Sequence, residues 1–324
     1  MREILYREAI QEALSEEMTR DETVFMIGED IGKKGGVYQA TAGLHEKFEK
    51  ACRIYDTPIS EQAIIGAALG AALMGFKPVA EIMYIDFTTL AMDQIVNQCA
   101  KLHFATGGQA VVPVVIRTQG GVGRGIGVHH CQSLEAWYVH IPGLKVVMPA
   151  TPYDVKGLLK ASIRNMNPVM FIEHKLLYTT KGEVPEEEYL VPLGKAQVKR
   201  EGTDVTIVTW SRMVLESLEA AESLEKEGIS AEVVDLRTLK PLDVESIISS
   251  VKKTGRAVVV HEAVKMGGFG GEIAAIIMEK AFDYLDAPVK RIAGLDTNIP
   301  YARHLESTVI PNKEWIIEGV RQLF

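Results

Sequence analysis

The sequence lacks the features that mark secreted, membrane-spanning or nucleic-acid-binding proteins. It has only three cysteines in 324 residues, Cys52, Cys99 and Cys131, with no CxxC spacing, which is typical of reduced thiols in the cytoplasm. It has no apolar run of membrane-spanning length, and its charged first residues, MREILYREAI, do not resemble a secretory signal. The net charge of −8 gives no attraction to nucleic acid or to an anionic membrane. We therefore expect a cytoplasmic protein that binds neither.

The common nucleotide-binding and hydrolase motifs are missing as well. Neither glycine-rich loop, at residues 119–130 or 265–272, fits GxGxxG, so a nicotinamide Rossmann site has little support. No GxxxxGK[ST], GxSxG or HExxH segment occurs. These absences argue against P-loop enzymes, α/β-hydrolases of the usual type and zinc proteases.

Strand-like and helix-like segments alternate along most of the chain. Residues 111–118, VVPVVIRT, are almost all apolar and β-branched, which is typical of a strand covered on both faces of a parallel sheet. Residues 3–20 and 85–106 are each predicted to form one helix. The alternation lapses between about residues 180 and 200, where an acidic run with two prolines suggests a linker. We therefore predict two doubly wound α/β domains, which divide the chain as residues 1–185 and 186–324.

Residues 56–75, DTPISEQAIIGAALGAALMG, combine a rigid turn with an unusually apolar helix. Pro58 holds Thr57 extended, and Ser60 is then a natural helix N-cap. Glu61 falls in the first turn, where the helix dipole favours a negative charge. One interpretation is that Glu61 only stabilises the dipole. The other is that a carboxylate at a dry helix end has a raised pKa and exchanges protons near neutrality.

Several longer motifs resemble one family from end to end of the chain, the beta subunits of the thiamine-diphosphate-dependent 2-oxo acid dehydrogenases. That group includes the pyruvate, branched-chain and acetoin enzymes. The resemblance implies a transketolase-type pyrimidine-binding domain followed by a transketolase C-terminal domain, in agreement with the two predicted domains. The motifs are TPISE with its glycine-rich helix, EIMYIDF, AMDQIVNQCAK, the H-x-Q of His130-Cys131-Gln132, PGLKVVMPATPYDVKGLL and DLRTLKPLD.

The resemblance assigns Glu61 a catalytic role and a cofactor-binding role. In the family, this glutamate hydrogen-bonds N1′ of the cofactor's aminopyrimidine and favours the imino tautomer, which removes the proton from the thiazolium C2. Phe87 would stack on the pyrimidine and Met83 would lie close to it, although both side chains also fit an ordinary core.

The resemblance makes His130 the second catalytic and cofactor-proximal residue. It would hydrogen-bond the substrate carboxylate or oxyanion and handle protons during acyl transfer to lipoamide. We expect the neighbouring His129 to point elsewhere. The family usually has serine after this histidine, where this chain has Cys131. The local hydrogen bonding is therefore an open question.

Metal ions are expected in two places. Some members of the family hold a structural potassium ion with oxygens at positions that match Val114, Ser162, Asn165 and Asn167, and such a hard cation leaves little side-chain signature. The family's Mg²⁺-diphosphate motif, GDG, is absent from this chain. An alpha subunit would therefore hold Mg²⁺ and the diphosphate half of thiamine diphosphate.

This division of the cofactor implies a heterotetramer of two alpha and two beta chains. The small-residue faces of the apolar helix would then pack at a subunit interface, unless they pack against the chain's own sheet. These faces consist of Gly66 with Gly70, and of Ala63, Ala67 and Ala71.

The implied function is oxidative decarboxylation of a pyruvate-type 2-oxo acid, with acyl transfer to the lipoyl groups of an acyltransferase core that binds through its subunit-binding domain. IEHKLLY and YIDF resemble acetoin-type members, so acetoin cleavage is an alternative. A transketolase half or a ferredoxin oxidoreductase fragment is another, although the latter's Fe–S cysteine motifs are missing. A non-catalytic docking scaffold is the alternative of a different class, against which Glu61 and His130 both argue.

Overall fold

The computed structural model describes residues 1–324, and the chain divides into two compact units. The first unit comprises Met1–Gly120 and Trp137–Leu193, and the second comprises Gly121–Ala136 and Gly194–Phe324. The sequence did not indicate that residues 121–136 leave the first unit and fold with the second.

Strands and helices alternate, as the sequence pattern predicts. No helix is both long enough and apolar enough to cross a membrane. The strands are β1 (Arg2–Leu5), β2 (Val24–Gly28), β3 (Ile54–Asp56), β4 (Lys77–Ile82), β5 (Val115–Gly120), β6 (Lys145–Val147), β7 (Val169–His174), β8 (Lys181–Val184), β9 (Gln197–Arg200), β10 (Val205–Thr209), β11 (Ala231–Asp235), β12 (Thr238–Lys240), β13 (Ala257–Val264) and β14 (Lys290–Gly294). The α-helices are α1 (Tyr6–Arg20), α2 (Leu44–Phe48), α3 (Glu61–Leu73), α4 (Leu102–Ala105), α5 (Glu135–Val139), α6 (Pro152–Ile163), α7 (Met213–Glu225), α8 (Val244–Thr254), α9 (Gly270–Ala281), α10 (Arg303–Glu306) and α11 (Lys313–Arg321).

The first unit is built on a parallel sheet in the order β6-β7-β5-β4-β2-β3. Every residue of β5 and β7 is buried. Each strand begins with apolar residues, Val115 and Ile116 in β5 and residues 169–172 in β7, and ends with buried polar ones. Because all these strands are parallel, their carboxyl ends meet at one edge of the sheet, where ligands bind in folds of this kind.

The segment predicted as one helix over residues 85–106 is broken into three pieces. It forms a 3-10 helix at Ile85–Ala91, a π-helix at Asp93–Cys99 and the short α4. The hydroxyl groups of Thr88 and Thr89 donate to the backbone carbonyls of Ile85 and Asp86, and such bonds compete with regular helical ones. The single-helix prediction was therefore wrong.

Two further corrections concern the start of the chain and the predicted linker. Residues 2–5 form a strand rather than helix, and β1 pairs antiparallel with β8 from Arg2↔Val184 to Leu5↔Lys181. The predicted linker therefore contains β8, and also β9, which pairs antiparallel with β11. Glu188, in its acidic run, forms ion pairs with Lys160, at 3.6 Å, and with Arg164.

The second unit has a sheet in the order β14-β13-β10-β11-β9, parallel except for the edge strand β9. Helices α7 and α11 pack together, as do α8 and α9. The α7 and α11 side of the sheet carries a fully apolar core that includes Ile207, Val233, Leu224, Ile316 and Val320. The predicted α/β fold is therefore confirmed for both units.

A buried polar cluster lies within the second unit, around Trp210. Its indole Nε1 donates to Glu135 Oε1 over 3.3 Å, and its ring stacks on His261 at 5.4 Å between centroids. Burial raises the pKa of Glu135 to about 7, with a further rise from the nearby Glu262 charge. Burial lowers the pKa of His261 to about 4. A Cβ atom on Gly270 would lie 2.5 Å from the His261 ring, so the second glycine-rich loop serves close packing here.

We expect Glu135→Gln to make the second unit more stable at pH 8 but not at pH 4.5. The folded chain keeps the proton of Glu135 up to about pH 7, whereas the unfolded chain releases it near 4.5, so the wild type loses stability as the pH rises through that window. Each pH unit between 4.5 and about 7 lowers the free energy of unfolding of the wild type by about 1.4 kcal/mol. The total loss over this range is therefore about 3 kcal/mol. Urea unfolding at several pH values measures it. A difference between variant and wild type that does not change with pH would contradict the assignment.

Candidate active site

The residues predicted to hold the cofactor pyrimidine follow neighbouring strands of the first unit. Glu61 comes after β3 and opens α3, while Met83 and Phe87 come after β4. Both strands flank β2, which ends at Gly28. The topology therefore brings these residues to the carboxyl edge of the same sheet, where a ligand site is expected.

Glu61 is a buried carboxylate, with only 7% of the residue exposed. It stands first in α3, and Ser60 has the non-helical backbone of a cap residue, as predicted, but the Ser60 hydroxyl makes no capping bond. The Glu61 side chain has no hydrogen-bond partner within the chain. Its carboxylate oxygens remain accessible to solvent and therefore to a ligand. The residue is therefore suited to a ligand that brings a hydrogen-bond donor, such as a protonated or amino-substituted ring.

Glu29, which directly follows β2, is a residue that the sequence analysis missed. Burial raises its pKa, and the charge of Glu61 raises it further. A charge on Glu61 therefore disfavours ionisation of Glu29. The only available signal was its place after the strand Val24–Gly28.

The turn that carries Met83 and Phe87 is held by its backbone. Both side chains are half-buried. Tyr84, between them, has a left-handed φ of 73° and donates its N–H to Gln119 Oε1 over 3.3 Å. The Phe87 N–H donates to the Tyr84 carbonyl over 3.1 Å. The arrangement leaves apolar surface at this edge in a fixed position, which fits an aromatic ring such as a pyrimidine.

A fully buried ion cluster supports this turn. Arg117 on β5 donates two hydrogen bonds to Glu173 on β7, at 2.7 and 2.9 Å, and one to Glu81 on β4, at 2.7 Å. Gln119 donates to Glu81 over 3.1 Å and accepts from Tyr84. Burial raises the pKa of Glu81, against the opposing effect of the Arg117 charge. A continuous chain of bonds thus joins the centre of the sheet to the turn.

His130 lies in a glycine-rich loop of the second unit, where it is half-buried, whereas His129 is exposed. The loop is closed at its base by the Gly121 N–H, which donates to the Gln132 carbonyl over 3.0 Å. Gly127 has a φ of 71°, and a Cβ there would overlap the ring of Tyr301. Glycine is therefore required where this loop turns and approaches its neighbour.

The four positions matched to a potassium site lie around one corner of the first unit. The Val114 carbonyl accepts from the Val169 N–H over 2.9 Å, and the Ser162 carbonyl accepts from the Asn165 N–H over 3.1 Å. The Asn165 Oδ1 atom accepts from the Asn167 N–H over 3.0 Å. This donor set consists of oxygens, as a hard cation requires. It precedes β5 and β7, at the edge of the sheet away from Glu61.

One small-residue face of α3 is uncovered in this chain. Ala63, Ala67 and Gly70 are exposed, and a Cβ on Gly70 would meet nothing within 4 Å. Gly66 and Ala71 are half-buried. The buried residues of the helix, such as Ile64 and Ala68, lie on its other side. Ala63, Ala67 and Gly70 thus do not form the contact between α3 and the chain's own sheet.

Comparisons with known proteins agree with this architecture. Residues 2–181 match the transketolase pyrimidine-binding domain, and residues 194–316 match the transketolase C-terminal domain. A solved structure titled split gene transketolase, inactive beta4 tetramer, superimposes with a TM-score of 0.81 at 25% identity, covering 99% of this chain and 98% of that one. The two domain matches and the fold therefore define a protein of the transketolase type.

Full-length relatives narrow the assignment. The 2-oxoisovalerate dehydrogenase subunit beta of Bacillus subtilis is 48% identical, covering 98% of each chain. The pyruvate dehydrogenase E1 component subunit beta of the same organism is 49% identical, covering 98% of this chain and 97% of the relative. Its counterpart from Gracilaria tenuistipitata is 46% identical over the full length of both chains. The chain belongs to the beta subunits of the thiamine-diphosphate-dependent 2-oxo acid dehydrogenases.

Proposed function

We propose that this chain acts, together with an alpha subunit, as the first component of a 2-oxo acid dehydrogenase complex. The reaction would be decarboxylation of a pyruvate-type or branched-chain 2-oxo acid and transfer of the acyl group to a lipoyl group. The observation that carries the proposal is the buried Glu61 carboxylate, which has no partner in the chain and stands at the sheet edge that also presents Met83 and Phe87. We keep 1–185 and 186–324 as the proposed domains, although residues 121–136 and 186–193 each lie in the compact unit of the other domain.

The residues of this chain would hold the pyrimidine half of thiamine diphosphate. When bound, the cofactor supplies a thiazolium carbon that becomes nucleophilic and stabilises the charge released by decarboxylation. Glu61 would hold a proton at the pyrimidine N1′. Met83 and Phe87 would cover the ring faces and exclude water. His130 would hold or move a proton at the oxygen of the transferred acyl group.

Several partners follow from this division of labour. An alpha subunit would hold Mg²⁺ and the diphosphate, because this chain has no GDG motif. The uncovered face of Ala63, Ala67 and Gly70 is suited to the close approach of another helix, which supports a subunit contact there. The lipoyl acyltransferase core, through its subunit-binding domain, would be the next partner. We also propose that a structural potassium ion binds at the corner of the first unit that contains Val114 and Ser162.

Two 2-oxo acid substrates have equal support, since relatives of both names share nearly the same identity with this chain, 48% and 49%. The acetoin and scaffold alternatives have no such support among the relatives named above. We also propose a cytoplasmic location, because none of the three cysteines forms a disulfide.

We expect the chain alone to show neither tight thiamine diphosphate binding nor turnover, and the chain with its alpha subunit to show both. Most of the ligand's charge lies in its diphosphate, which would be unneutralised beside a protein with a net charge of −8. Titration calorimetry with Mg²⁺ and the cofactor measures binding. Turnover of pyruvate, 2-oxoisovalerate and acetoin by the reconstituted pair identifies the substrate.

The two parts of this experiment have separate contradicting outcomes. Micromolar cofactor binding by the chain alone would mean that it contains a diphosphate site, for which the glycine-rich loops at residues 119–130 and 265–272 are the candidates. A reconstituted pair that cleaves acetoin faster than it decarboxylates either 2-oxo acid would overturn the proposed reaction. A pair that binds the acyltransferase core but turns over none of the three would favour the scaffold alternative.

A further inference from the structure

The loop that carries His130 is held by two glutamates from distant parts of the second unit. Glu262 lies on β13 and Glu306 ends α10. Their carboxylates accept from the consecutive N–H groups of Val122 and Gly123, over 2.7 and 2.8 Å. Hydrogen bonds to a charged acceptor are roughly twice as strong as neutral ones. The first stem of the loop is therefore fixed by two strong bonds side by side.

Each glutamate also reaches the second stem of the loop. Glu262 Oε1 accepts from the Ser133 hydroxyl over 3.4 Å, and its other oxygen faces Arg212 at 3.8 Å. Glu262 thus bridges Val122 to Ser133, while Arg212 offsets its charge.

Glu306 also links the two stems of the loop, at residues that lie closer to His130 in the sequence. Its Oε1 atom accepts from the Gly123 N–H and also from the Cys131 thiol, with a sulfur–oxygen distance of 3.7 Å. Only 6% of Glu306 is exposed, so this oxygen acts with little competition from water. Cys131 directly follows His130. The bridge therefore ends beside the histidine. The Cys131 thiol serves as the hydrogen-bond donor through which Glu306 reaches this part of the loop.

We propose that Glu306, assisted by Glu262, is a positioning residue for His130. The backbone of this loop is strongly curved, with positive φ at Gly123, Arg124, Gly125 and Gly127, and needs external bonds to keep one conformation. A displacement of about 1 Å at a catalytic group can cost about 10²-fold in rate. The two glutamates keep the His130 backbone in place without touching the substrate. This inference rests on the proposed role of His130 in acyl transfer.

The test compares two partial reactions of the reconstituted alpha–beta enzyme, saturated with cofactor and Mg²⁺. Oxidation of the 2-oxo acid with ferricyanide reports the steps before acyl transfer, and acylation of a free lipoyl domain reports the transfer. We expect Glu306→Ala to lower kcat for lipoyl acylation about 10- to 100-fold and to leave the ferricyanide reaction close to wild type. Glu306→Gln keeps an acceptor oxygen and should restore much of the transfer rate.

A double-variant cycle distinguishes positioning from a general structural role. If Glu306 acts through His130, then His130→Ala combined with Glu306→Ala should be no slower in acyl transfer than His130→Ala alone. Glu279→Ala, which removes an exposed glutamate of α9 in the same unit, serves as the control. If the Glu306→Ala enzyme does not assemble, Glu306→Gln replaces it in both partial reactions. This variant should also be slower in lipoyl acylation but not in the ferricyanide reaction, with a smaller loss of rate.

Three results would overturn the inference or its basis. Equal losses in both partial reactions would make Glu306 merely structural. Additive losses in the double variant would mean that Glu306 acts independently of His130. A normal acyl transfer rate in His130→Ala would instead remove the proposed role of the histidine, and with it the basis of the inference.

Discussion

Glu61→Gln is expected to lower kcat of the reconstituted enzyme about 10²-fold or more, the usual range for loss of an acid–base group. The amide has nearly the same size as the carboxyl group but cannot exchange a proton with the pyrimidine. Because the Glu61 carboxylate has no hydrogen-bond partner within the chain, the replacement breaks no internal bond, and the fold should be kept. Steady-state turnover at saturating cofactor measures the loss, and hydrogen exchange at the thiazolium carbon locates it at the first proton transfer.

The matched control is Glu46→Gln, which changes an exposed glutamate of α2 in the same unit. It should leave both turnover and hydrogen exchange unchanged. The role of Glu61 is disproved by near-normal turnover of Glu61→Gln with the cofactor saturating. A variant whose only defect is weaker cofactor binding would make Glu61 a binding residue without an acid–base role.

Arg117→Met is expected to destabilise the first unit by about 3–5 kcal/mol, the usual cost of removing one partner from a buried ion cluster. Arg117 is fully buried and neutralises Glu81 and Glu173, whose side chains are 4% and 0% exposed. Without the guanidinium, two carboxylates would share an apolar site, and at least one would have to take up a proton. The shift of the urea unfolding midpoint measures the effect.

The control replaces an arginine whose ion pair is exposed. Arg2 pairs with Glu12 over 2.6 Å, but 42% of its side chain is exposed, so Arg2→Met should cost less than about 1 kcal/mol. Adding Glu173→Gln to Arg117→Met should recover part of the loss, because it removes one of the stranded charges. Equal midpoint shifts for the two arginine variants would contradict the prediction.

The parts of the fold that the sequence predicted are those with strong local patterns. Strands β5 and β7 are buried on both faces, and each begins within an apolar stretch that indicates a buried strand. Strands β1 and β8 have four residues each and are stabilised by pairing with each other, so neither could be recognised alone. The break within residues 85–106 depends on threonine hydroxyl bonds, which periodicity does not reveal.

The residues of the candidate site likewise differ in whether a local sequence pattern marks them. Glu61 could be found from the sequence because Pro58 and the glycine-rich helix mark its surroundings. Glu262 and Glu306 could not, since their importance comes from contacts with residues 140 and 183 positions away along the chain. Glu29 has only its place after a strand as a local signal, and the resemblance to the family did not single it out.

The passage of residues 121–136 from the first unit to the second has a consequence for synthesis of the chain. Every other residue of the first unit has been made once Leu193 is complete, so its sheet can form early, as N-terminal domains generally do during translation. The loop that carries His130 must then wait for Glu262 and Glu306, which are among the last residues to leave the ribosome. A nascent chain can thus complete one folded half while His130, the histidine proposed to act in acyl transfer, is still unanchored.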